Sequence, residues 1–113
     1  MNPGEIYLAN FPFGGGRGMK LRPVLVLTGL LGAVPELLVA YISSVIPKPL
    51  LQTDILLDPA RPDYAETKLK TVSVVRLHKL ATIHRRSLVR YLGKVSLSVA
   101  TDVATRLRTM LNL

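Results

Sequence analysis

Cysteine is absent from all 113 residues, which excludes disulfides, thiolate zinc sites and thiol nucleophiles together. No apolar run approaches the ~18 residues of a membrane span, and residues 1–4 lack the basic and hydrophobic regions of a signal peptide, so the expected location is cytoplasmic. Carboxylates are few, seven against fifteen Lys and Arg, and show no paired spacing. His78 and His84 stand six apart with no cysteine to complete a ligand set, so no metal or cofactor is expected. Two Phe and four Tyr leave little for base stacking, and any reading of a nucleic acid would rely on hydrogen bonding.

What is present is positive charge. The net charge is +8, a field that draws polyanions. No acidic residue occurs from Thr67 through Thr101, whereas Lys68, Lys70, Arg76, Lys79, Arg85, Arg86, Arg90 and Lys94 all fall there. A face that served solubility alone would mix in acidic residues. The basic run 85–94 lacks the broad apolar face needed to lie on a membrane, so no membrane partner is expected. With 49% apolar residues, the chain is long enough for one packed domain, residues 1–113.

The chain is organised around 20–28, KLRPVLVLT. Residues 24–27 form an apolar, half β-branched run, the pattern of a strand covered on both faces. Pro23 fixes its own φ, lacks an N–H and turns Arg22 away from helix. Arg22 thus stands where loop becomes sheet, carrying a permanently charged planar fork of donors suited to phosphate. Residues 5–10 predict a first strand that pairs with this one. Between them, 11–20 holds four glycines in five positions together with Arg17 and Lys20, a pliable loop that can fold over a phosphate backbone. It is no nucleotide-binding signature, because both the Walker and the dinucleotide patterns fail at Met19.

A turn at 29–35 leads to a strand over 36–44 ending in Ser43 and Ser44, whose hydroxyls can cap backbone groups or donate to an oxyanion. Pro47 and Pro49 then break regular structure. Strands are predicted at 53–57 and 71–78, the second placing Arg76 and His78 on one face, and 80–83 extends or rejoins the sheet. From Arg86 the period changes: Leu88, Tyr91 and Leu92 fall at helical spacing, with Gly93 just past the expected helix end. A second helix, capped by Ser96 or Ser98, carries Val99, Val103, Leu107, Met110 and Leu111 as one apolar stripe and Asp102–Arg106 as an i,i+4 pair.

Taken in succession, Gly4-Glu5-Ile6-Tyr7-Leu8, Arg22-Pro23-Val24-Leu25-Val26-Leu27, Ala40-Tyr41-Ile42-Ser43-Ser44 and the stretch 73–83 resemble the MazF/PemK (Kid) family of toxin ribonucleases. The resemblance implies a mainly β, SH3-like small barrel with a C-terminal helix, assembled as a homodimer. It further implies metal-independent, sequence-selective cleavage of single-stranded RNA by attack of the 2′-hydroxyl, and inhibition by an acidic, disordered segment of a cognate antitoxin, with DNA contacted only through that antitoxin. Carried over by position, Arg22 matches the family's phosphate-stabilising arginine, Ser43 a hydroxyl position that is commonly threonine, and Ser44 its neighbour. Arg76 and His78 match an Arg-x-Asp pair with an imidazole in place of the carboxylate, and an imidazole, with a reference pKa of about 6.5, can take a proton near neutrality. The expected catalytic residues are therefore Arg22, Ser43 and His78, and the expected substrate-binding residues Ser44, Arg76, Arg17 and Lys20. A topoisomerase poison resembling CcdB, or a nucleic-acid-binding protein without catalysis, would fit the same architecture.

Overall fold

A computed structural model describes residues 1–11 and 20–113. Six strands, β1 (Glu5–Phe11), β2 (Lys20–Val26), β3 (Glu36–Ser43), β4 (Asp54–Leu57), β5 (Ser73–His84) and β6 (Leu88–Lys94), are followed by one helix, α1 (Leu97–Leu111). They form one antiparallel sheet in the order β4-β5-β3-β2-β1-β6. Alternation along the strands fills both faces. Leu25, Ala40, Ile42, Val75 and Leu77 join Val99 and Val103 of α1 in one core, while Val24, Val26, Val39, Phe11 and Ile83 build a second. The middle stretches of the central strands, 24–26 on β2 and 37–42 on β3, are apolar because both faces are largely covered there.

The sheet curls, bringing the segment that follows edge strand β4 against edge strand β6, as the expected small barrel requires. After β4, a 3-10 helix over Pro62–Thr67 packs against β6. Gly93 makes that approach possible: a Cβ there would collide with the Glu66 carbonyl oxygen and stand 2.5 Å from that of Thr67. Gly93→Ala is expected to destabilise the protein by roughly 1–3 kcal/mol through this overpacking, read from the midpoint of urea unfolding.

The helix expected from Arg86 is instead a one-turn 3-10 element, Arg85–Ser87, followed by strand β6. The misleading period has a physical origin. In the β1–β6 ladder, Ile6 pairs with Gly93 but Tyr7 with Tyr91, and Leu8 with Arg90 but Ala9 with Leu88. Leu92 and Val89 are thus bulged residues, and each inserted residue lengthens a same-face spacing from two to three, so Leu88 and Tyr91 stand opposite Ala9 and Tyr7 on one face. Gly93 ends no helix; it seats the 3-10 turn. The strand expected at 71–78 and its continuation are one strand, β5, interrupted where Arg76 faces Tyr41 but Leu80 faces Ala40. Ser96 caps α1, accepting from the Val99 N–H at 3.3 Å, and Arg106 meets Asp102 at 3.0 Å. The apolar stripe of α1 stops short of its end, where Leu111 is exposed.

Candidate active site

The opening that carries the site follows from one missing donor. Along β2, the Leu27 N–H donates to the Leu38 carbonyl of β3, and backbone groups two and four residues earlier point the same way. The rung donated by residue 23 would go to Ile42, but Pro23 has no N–H to give. The β2–β3 pairing ends one residue after it, at Val24 opposite Tyr41. Two residues beyond that pair, Arg22 and Ser43 fall on the same face.

There a cleft of ≈ 360 Å³ opens, lined by Arg22, Ser43 and Ser44 together with Tyr41, Lys68, Lys70, Thr71, Ser73 and Arg90, over an apolar floor that includes Leu8, Ile42, Leu69 and Leu92. Four of the lining residues are cations and none is a carboxylate. The Nε atom of Arg22 is buried without a hydrogen-bond partner among the described residues. Such a donor costs about 1–3 kcal/mol to hold dry. Ser43 Oγ accepts from the Val45 N–H at 3.0 Å. That contact orients the hydroxyl and leaves its proton to donate, so capping and oxyanion contact are compatible in one side chain.

The structure therefore brings Arg22, Ser43 and Ser44 to one cleft. It places Arg76, His78 and Lys20 outside the lining. Arg76 and His78 lie three and five residues past Ser73 on β5, which is about 10 and 16 Å along a strand, outside the lining. Arg76 Nε donates to Asp54 Oδ1 at 2.9 Å, and the Asp54 side chain is fully buried. His78, at the interruption of β5, has Nδ1 2.7 Å from Thr53 Oγ1. Desolvation and then the charge of Arg76, with Lys79 adding less, hold its pKa below the ordinary 6.5 against the opposing pull of Asp54. Lys20 begins β2 opposite Phe11 and is exposed, outside the lining. Arg17 lies outside the described residues.

Three uncharged polar residues of the lining carry no local mark of a site in the sequence: Tyr41, Thr71 and Ser73. Lys68, Lys70 and Arg90 were legible only as part of a basic run. Tyr41 stacks on Phe11 at 5.4 Å between centroids and sits beneath Lys79 Nζ, 5.6 Å from the ring centre, which fixes the ring at the mouth of the cleft.

Solved structures share this fold. A Mycobacterium tuberculosis toxin, MazF-mt6, superposes with a TM-score of 0.74 at 25% identity, over 96% of this chain and 97% of that one. A mycobacterial endoribonuclease in complex with its cognate antitoxin gives 0.72 at 19% identity, over 100% and 96%. MazF of Deinococcus radiodurans gives 0.70 at 19%, over 100% and 97%. No curated protein sequence matches significantly. The model of the PemK-like, MazF-like toxins of type II toxin-antitoxin systems matches residues 2–111, almost the whole of the chain that builds the curled sheet, its cleft and its helix, and to that family this protein belongs.

Proposed function

We propose that this toxin is a metal-independent, sequence-selective endoribonuclease acting on single-stranded RNA, messenger RNA in the cytoplasm included. The observation that carries the reading is the cleft shared by Arg22, Ser43 and Ser44, cationic, free of carboxylates, and holding a buried guanidinium nitrogen in want of an acceptor. A phosphodiester placed there receives a charged donor from Arg22 and hydroxyl donors from both serines. The ribose 2′-oxygen attacks the adjacent phosphorus, the bond from phosphorus to the 5′-oxygen breaks, and the products are a 2′,3′-cyclic phosphate and a 5′-hydroxyl. Charge on the phosphoryl oxygens grows along that path, and fixed donors aimed at it lower the barrier. Arg22 supplies most of this stabilisation as a fixed charge, and the leaving 5′-oxygen takes its proton from water.

The 2′-hydroxyl must lose its proton, and among the described residues no imidazole or carboxylate lines the cleft. The segment 12–19, PFGGGRGM, contains none either. Solvent hydroxide takes that role in the reading offered here. His78→Ala is then expected to keep cleavage within several-fold, with an unaltered pH–rate profile; disappearance of a limb with an apparent pKa below 6.5 would return His78 to the reaction as base. The experiment that tests the whole reading incubates single-stranded RNA with the protein in excess EDTA and maps the ends. Discrete cuts bearing cyclic phosphates are expected, and intact RNA would overturn it.

The mycobacterial relative was solved with its cognate antitoxin. By extension, this toxin is held inactive by an antitoxin segment, acidic and disordered until bound, that lies along the basic cleft of a homodimer.

A further inference from the structure

Lys68 has φ 56° and ψ 22°, a left-handed conformation that costs a residue with a Cβ roughly 1–2 kcal/mol. Glycine would occupy it without strain. A lysine there keeps an ammonium at the cleft in spite of the backbone. The turn that carries it is tightly held: the Lys68 N–H donates to the Ala65 carbonyl at 3.3 Å, and buried Thr67 donates through Oγ1 to the Tyr64 carbonyl at 2.7 Å. The seat at Gly93 then fixes this turn to β6, the strand that carries Arg90. The backbones that carry Lys68, Lys70 and Arg90 therefore stand in a set relation before any ligand arrives, and only their side chains remain to be ordered on binding. None of the three is in an ion pair among the described residues.

Arg90 lies opposite Leu8 on β1, and Arg22 opposite Ala9 on the other side of that strand. Two inter-strand steps separate Arg22 from Arg90, about 10 Å between backbones, and the cleft volume of ≈ 360 Å³ exceeds what one phosphate fills. We infer that Lys68, Lys70 and Arg90 form a second phosphate site, which holds the phosphodiester next to the one at Arg22 so that the cleft grips two consecutive phosphates of one strand. The inference rests on the ribonuclease reading for its substrate. It divides the basic run into residues that hold RNA at the cleft and others, Arg76 among them, that do not.

The test has two arms. Binding of a 2′-deoxy single strand, which lacks the nucleophile, is measured against salt for the native protein, Lys68→Gly and Arg90→Gln. Each variant is expected to flatten the slope of log K on log salt by about 0.7, and Lys68→Gly to unfold no earlier in urea because it removes the strain. In the second arm, kcat/KM is compared between a dinucleoside monophosphate and a trinucleotide. The native protein is expected to gain about tenfold from the added phosphate, one charge-assisted contact, and Lys68→Gly to lose that gain. An unchanged salt slope in both variants, or a gain from the added phosphate that survives in them, overturns the second site. Failure of the native protein to cut any RNA would overturn the ribonuclease reading instead, while the slopes measured on the deoxy strand would still decide this one.

Discussion

Arg22→Ala should slow RNA cleavage by roughly two to three orders of magnitude, the usual cost of removing one donor aimed at developing oxyanion charge. The loss should lie in kcat more than in KM, since the guanidinium matters most when the phosphoryl oxygens carry extra charge. What makes the expectation specific is the second measurement. Arg22 Nε is buried and unpartnered among the described residues, so the free protein carries a desolvation cost. Arg22→Met, which keeps an apolar stem of similar length, should therefore raise stability by about 1 kcal/mol while slowing cleavage as much as Arg22→Ala does. A variant that lost both activity and stability would mean that the arginine serves the fold.

Arg76 is expected to behave in the opposite sense. Its partner Asp54 is wholly enclosed, and also accepts the Leu51 N–H at 2.8 Å. Removing the guanidinium leaves a carboxylate with too few donors in a dry site, which typically costs about 3–5 kcal/mol. Arg76→Ala should show that loss in denaturant unfolding, with KM for short RNA little changed once the folded fraction is allowed for. The pair also sets an acid limit. Burial alone would raise the Asp54 pKa, but the hydrogen bonds from Arg76 and Leu51 and the charges of Arg76 and His78 outweigh it and hold it below 3.8. A carboxyl depressed in the folded state stabilises the protein above its unfolded pKa, and that contribution fades as pH falls through the folded value. Stability should thus drop below about pH 4, and Asp54→Asn should flatten that drop.

The helix gives this pair a wider role. Arg106 Nη1 donates to the Gln52 carbonyl at 2.7 Å, so the segment leading into β4 is tied to α1 while Arg76 ties β4 to β5. Neither link could be read in advance. Asp54 and Arg76 are 22 residues apart, and their meeting depends on the β4–β5 register, in which they stand directly opposite.

What sequence could and could not convey divides along the same physical line. Strands 5–10, 36–44 and 53–57 were legible because apolar and β-branched residues cluster between turn formers, and α1 because its cap, stripe and ion pair are all local. The cleft was legible at Arg22, Ser43 and Ser44, where a proline, an apolar run and paired hydroxyls mark strand ends. Bulges are not local signals. Leu92 and Val89 displace the β6 ladder only in relation to β1, so the spacing of Leu88 and Tyr91 mimics a helix until the partner strand is known. The left-handed turn at Lys68 was equally hidden, since lysine gives no hint of positive φ.

Pro23 also governs how the cleft behaves in time. An aperture kept by a frayed hydrogen bond would flicker, closing on cooling and in structure-promoting solutes. Here the gap between β2 and β3 is secured by a covalent ring at the nitrogen, and no change of temperature or solvent restores the lost amide proton. Substrate therefore meets a doorway that is already ajar, and the toxin need not wait on its own breathing before it can act.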